Sequence, residues 1–155
     1  MRFEYESTTT LARIRAASPC EDGWRKLLAH VRKTKADDDP IDLLTVLDSN
    51  GLDDALWVLS NAMPDNRLAR HFQAWCAEQV LHIFERDCPG DTRVRDQIAM
   101  LRNDAATYMD RNAARDAAHD AAARAAGRAA ALDAAHDAAW NAQEAQLRTM
   151  LEEMK

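Results

Sequence analysis

An all-α fold is predicted for this chain of 155 residues: a single-domain multi-helix bundle with long alanine-rich C-terminal helices. Three observations predict it. Gly and Pro number only four each, too few for the turns of an all-β domain. Apolar residues recur at helical spacing in several separate runs. From Ala105 onward the chain is dominated by alanine, the strongest helix former.

Residues 1–10 read as a partly ordered leader, and 11–155 as the helical domain, with mixed core helices over 11–104 and the alanine-rich segment over 105–155. In TTTLARIRAA, the threonines at 8–10 are caps for a short helix. In SPCEDGWRKLLAHV, Ser18 is the expected N-cap, Pro19 the first helical residue, and Glu21 the third, a capping box. Trp24, Leu27, Leu28 and Val31 then form one apolar face. Asp39-Pro40 repeats the cap-and-proline signal before a helix carrying Ile41, Leu43, Leu44, Val46 and Leu47. Asn50 and Gly51 suit the turn that ends it. A helix over 52–62 places Leu52, Leu56 and Leu59 inward, and Met63-Pro64 breaks it. Residues 66–87 form one long helix whose stripe is Leu68, Phe72, Trp75, Cys76, Val80, Ile83 and Phe84. Cys88-Pro89-Gly90 ends it. Asp91 or Thr92 caps the next helix, with Val94, Ile98 and Leu101 inward.

The alanine segment has its own geometry. Ala113, Ala117, Ala121, Ala125 and Ala129 recur every four residues, whereas a helix turns every ~3.6, so the stripe winds by about 40° per step. An unbroken helix over 112–152 would be about 60 Å long at ~1.5 Å per residue. A break near Gly127, giving two alanine helices, is the expectation.

The net charge of −6 disfavours a nucleic-acid binder working through a basic face and suits a basic protein partner. The three cysteines Cys20, Cys76 and Cys88 form no CxxC pair and read as free thiols of a reducing cytoplasm. The N-terminus has no apolar signal-peptide core, and no apolar run has the ~18 residues of a membrane span. Self-association stays open, because alanine faces pair within or between chains.

Two seven-residue copies of DAAHDAA, at 116–122 and 133–139, place Asp116, His119, Asp120 and Asp133, His136, Asp137 at metal-ligand spacing. The copies are 17 residues apart in sequence, so on one helix they point about 100° apart. Their surroundings repeat the same pattern with other residues in the fourth place. A solvated outer face is the better reading, and no metal is expected; a metal-dependent hydrolase would need the two triads to converge. DSNG at 48–51 opens like a calcium loop, but Leu59 stands where the bidentate Glu belongs. His30, His71 and His82 share no ligand or triad pattern, and neither a phosphate loop nor HExxH occurs. No catalytic residue and no cofactor are expected.

The candidate site is a corner. Asp48, Asn50, Asp53 and Asp54 make a dense acidic patch, which serves as a contact for a basic partner or simply as turn chemistry with favourable charge at a helix N-terminus. Trp57 lies on the side shared with Asp53 and Asn61. Burial under a neighbouring helix is the commoner fate of such a Trp; exposed, it is an interface anchor. Trp24 and Trp75 read as core.

The run GWRKLLAHVRKTKADDDPIDLLTVLDSNGLDDALWVLS, 23–60, resembles the signature of the immunity protein 5-like family, most specifically through KTxADDxP and LLTxLDSNGLDDALW. The helix RLARHFQAWCAEQVLHIFE and the tail ending QLRTMLEEM are similar to that family too, so the resemblance runs from about Leu11 to the end. One departure is that the family's tail tryptophans are reduced here to Trp140. The resemblance implies a helical, cytoplasmic, non-catalytic protein of bacteria, phages and mobile elements that binds and neutralises a toxin. The alternative within the binding class is a phage- or mobile-element-encoded inhibitor of a host defence complex.

Overall fold

The computed structural model describes residues 6–126 and 133–154. Among these are eight helices and one two-stranded sheet, an all-α architecture. The order is β1 (Thr8–Thr10), α1 (Leu11–Ala16), α2 (Glu21–His30), β2 (Pro40–Asp42), α3 (Leu43–Asn50), α4 (Leu52–Asn61), α5 (Arg67–Asp87), α6 (Arg93–Arg102), α7 (Tyr108–Ala126) and α8 (Asp133–Glu152). No helix among the described residues is long and apolar enough to cross a membrane. The chain divides into two compact units: one runs up to Ala69 and resumes at Glu144, and the other spans 70–143.

In the first unit, β1 pairs antiparallel with β2, Thr9 opposite Ile41 and Thr10 opposite Pro40. This adds detail to one expectation and corrects another. The end of the leader is an ordered strand, with Thr9 buried and its hydroxyl donating to the Ala62 carbonyl. Asp39-Pro40 does not start a helix: Pro40 is already in strand, and Asp42 is the N-cap of α3, accepting from the Leu44 N–H at 2.9 Å. The physical reason is that proline's fixed φ suits extended backbone as well as a first helical turn, and a three-residue strand tolerates its missing N–H. Asp39 instead accepts from Lys33 Nζ at 2.8 Å.

Thr10 caps α1 as expected, its hydroxyl accepting from Arg13 N at 3.1 Å. Ser18, however, is not the N-cap of α2. It sits at φ 61°, and its N–H bonds the Arg15 carbonyl at 3.1 Å, so it closes α1 in the left-handed manner of a C-terminal cap. An N-cap needs extended backbone, and that task passes to Cys20, whose thiol accepts from Gly23 N at 3.4 Å. Glu21 thus becomes the first helical residue rather than the third.

Trp24 and Leu27 carry the buried face of α2. In α3, Leu43, Leu44, Val46 and Leu47 are all buried, which leaves little of that helix free. Gly51, at φ +89°, ends α3 and caps α4 in one residue, a conformation that favours glycine. The buried face of α4 is Leu52, Ala55, Val58 and Leu59; Leu56, expected inward, is only half-buried. The last turns of α8 complete this core. Leu147 and Leu151, one helical turn apart, are fully buried, and Arg148 between them pairs with Asp48.

The second unit holds most of α5, with α6, α7 and the start of α8. Phe72, Ala74, Phe84 and Ile98 are buried. Trp75 is half-buried and stacks at 6.3 Å on Phe72, while Val80, expected on the apolar stripe, is exposed. Arg102 grips Glu78 through two bonds at 3.0 and 2.6 Å, joining α6 to α5. Arg70 donates at 2.7 Å to the Leu101 carbonyl, one of the acceptors that the end of α6 leaves open. Along α7 the buried residues are Ala118 and Ala121, with Ala114 and Ala117 half-buried and Ala113 exposed. The inward line therefore keeps Ala117 and Ala121 of the four-residue alanine stripe and leaves Ala113 outside it, as the winding requires. Gly127, where a break is expected, lies outside the described residues.

Candidate functional site

The feature of the first unit with most chemical potential is a cavity of about 270 Å³ lined by α2, α3 and α4, by Ile14 of α1 and by the α1–α2 connection. Its apolar wall comes from side chains already committed to the core: Ile14, Trp24, Leu27, Val46 and Val58 are all buried. Its outer edge is different. Asn50, Asp53, Asp54 and Trp57 line it as well, and of these Asp53 is exposed and the other three half-buried.

Helix geometry explains why these four meet. Asp53 and Trp57 are one turn apart on α4, and Asp54 and Trp57 are three residues apart, so all three share one flank. Asn50, the last residue of α3, reaches across Gly51 and donates to Asp54 Oδ2 at 2.7 Å. The same amide nitrogen donates to the Gly23 carbonyl of α2 at 2.8 Å. Asn50 thus ties three helices together at the mouth of the cavity.

Gly23 is the other half of that joint. A β-carbon placed there would lie 2.7 Å from Asp54 Oδ2 and 3.1 Å from Cys20 Sγ. The absence of a side chain lets the α4 carboxylate approach the α2 backbone. The electrostatics are one-sided. No Lys, Arg or His is among the described lining residues. The donor that orients Asp54 is a neutral amide, which fixes the carboxylate without cancelling its charge. Asp53 and Asp54 also sit in the first turn of α4, where the helix dipole favours anions. Just beside the cavity, the Arg15 guanidinium carbon lies 5.5 Å from the Trp24 ring centroid, with its charge answered by Glu21 at 3.2 Å.

Of the five site residues read from the sequence, four are therefore brought together and one is not. Asp48 is absent from the cavity lining and pairs instead with Arg148, whose guanidinium that contact holds more firmly protonated. Trp57 is neither sealed under a helix nor fully exposed. Trp24, read as core, is buried and also lines the cavity. The contributions of Pro19, Cys20 and Gly23 were not read from the sequence. A glycine in the first turn of an otherwise strong helix is the signal that could have pointed to a close approach there.

Elsewhere the arrangement has less to offer. Asp116, His119 and Asp120 are all exposed on α7, and Asp116 accepts from Arg115 at 3.3 Å. The side chains of the second triad, Asp133, His136 and Asp137, lie outside the described residues. Among the described residues no three His, Cys, Asp or Glu side chains group to hold a metal ion. Cys76 is half-buried, and burial pushes its thiol up to about 11, the opposite of an activated nucleophile.

In comparisons with protein-family models, with curated proteins and with solved structures, nothing matches this chain.

Proposed function

We propose that the protein is a non-catalytic, cytoplasmic binding inhibitor of the immunity type, which neutralises a cognate toxin or effector by direct contact through the cavity face of its first unit. The observation that carries this reading is the pairing of an apolar cavity with a mouth of two carboxylates, a half-buried indole and no cation among the described lining residues. Such a mouth attracts a basic surface and supplies an aromatic anchor of the kind that dominates interface energetics. The resemblance to immunity protein 5-like sequences supports the same face. Nine of the twelve described lining residues fall within 23–60, the stretch on which that resemblance is most specific.

The test is capture of the partner by tagged protein from its native host, uninfected and carrying the relevant toxin or phage locus. The purified complex is then assayed for the partner's own activity. The proposal expects a stoichiometric complex in which a toxin or defence subunit is inactive. A partner that keeps full activity when saturated, or a protein that purifies alone with a stoichiometric metal, would overturn it.

A further inference from the structure

We propose that the cavity of the first unit receives the side chain of one arginine presented by the protein partner, its guanidinium held between Asp53, Asp54 and the indole of Trp57. This inference rests on the partner-binding reading above and names the chemistry of the contact.

Size, wall and charge each narrow the occupant. At about 270 Å³ the cavity lies at the small end of the ~300–1,000 Å³ of small-molecule pockets and has room for one inserted side chain. The wall of Ile14, Leu27, Val46 and Val58 suits a run of methylenes. The mouth carries two carboxylates with no cation among the described lining residues, so a positive far end is the complementary one. Apolar stem and cationic head together describe Lys or Arg. The indole of Trp57 decides between them: a planar, weakly hydrated guanidinium stacks on an aromatic face and offers several donors to two carboxylates at once, which a compact ammonium cannot. The fold already makes such a contact at the neighbouring indole, where Arg15 lies over Trp24. One of the two carboxylates is also held in place beforehand. Asn50 fixes Asp54 at 2.7 Å and is itself fixed to the Gly23 carbonyl at 2.8 Å, so that group loses little order on binding.

The test uses the full chain labelled with ¹⁵N, reading the indole N–H resonance of Trp57. The probes are three blocked tripeptides, acetyl-Gly-Arg-Gly-amide and its lysine and citrulline counterparts. Citrulline keeps the shape of arginine and removes its charge. The expected result is a saturable shift of the Trp57 resonance with the arginine peptide, at least about fivefold weaker binding with lysine, and no saturable shift with citrulline. Asp53→Asn should weaken arginine binding by about fivefold or more, while Asp38→Asn, the same change at an exposed residue outside the cavity lining, should not. Circular dichroism of each variant confirms that its helices are intact. Citrulline binding as well as arginine, lysine binding as well as arginine, or no saturable shift with any probe would each overturn the proposal. Its failure is separable from that of the binding reading: capture of an inhibited partner would still stand if the peptides failed.

Discussion

Gly23→Ala offers a sharp test of how the cavity mouth is built. In an ordinary helix this change stabilises by up to about 1 kcal/mol, because alanine restricts the unfolded chain and favours the helix. Here the new methyl would stand 2.7 Å from Asp54 Oδ2, well inside contact distance. The carboxylate can swing away, since it is the end of a side chain, but it then gives up the 2.7 Å bond from Asn50. A hydrogen bond to a charged group contributes about 1.5–3 kcal/mol, and the half-buried position of Asp54 argues for the lower part of that range. The contact with Cys20 Sγ at 3.1 Å adds little, because that thiol is exposed and can yield by a few tenths of an ångström. The net expectation is destabilisation by about 1 kcal/mol. On an Asp54→Ala background the clash is gone and only the helical preference remains, so the same substitution should stabilise by up to about 1 kcal/mol. The sign reverses, which corresponds to a coupling of about 2 kcal/mol between positions 23 and 54. Urea unfolding of the four proteins, followed by tryptophan fluorescence and circular dichroism, measures the cycle. Equal effects of Gly23→Ala in both backgrounds, within about 0.5 kcal/mol, would refute the reasoning.

Leu151→Ala should destabilise the first unit by about 2–5 kcal/mol in urea unfolding, because its fully buried side chain completes a core built by residues far away in sequence; a cost below about 0.5 kcal/mol would show that the last turns of α8 do not pack there. Gly51→Ala should cost about 1–3 kcal/mol in urea unfolding, since φ +89° with ψ −176° is a conformation essentially confined to glycine, although space is open around it. The Cys76 thiol should resist alkylation until the pH approaches about 11: burial disfavours the thiolate, so its reaction with iodoacetamide, followed by mass spectrometry, rises later with pH than that of an ordinary thiol. A half-rise at pH 9 or below would contradict that assignment.

The helices were legible where one face had a strong pattern. The run Trp24–Leu27 in α2, the turn at Gly51 and the length of α5 all follow from spacing and from residues with few alternatives. What escaped has identifiable causes. Asp39-Pro40 is chemically as good an entry to a strand as to a helix, and three residues of strand carry no periodicity to separate the two. Ser18 has the right side chain for an N-cap, but its backbone is used to close α1. Cys20 caps a helix through a thiol, which composition rules rank far below a hydroxyl. In α7 the winding alanine stripe named no inward face, and packing buries Ala118 and Ala121, because alanine lies on too many faces to mark one.

The site was half legible. The carboxylates and Trp57 are neighbours on one helix, and helical spacing alone places them together. The cavity they edge also needs α2 and the α1–α2 connection, and that meeting is tertiary. Asp48 shows the limit from the other side. Sequence proximity grouped it with Asp53 and Asp54, but its partner Arg148 comes from 100 residues further along the chain.

The most direct test of the central claim is partner capture by the natural protein and by Asp53→Lys/Asp54→Lys, run side by side after circular dichroism has shown both to be folded. If a basic surface docks on the cavity mouth, the natural protein retains its partner and the charge-reversed one loses it. Equal retention by both would contradict the claim and place the binding surface elsewhere on the molecule.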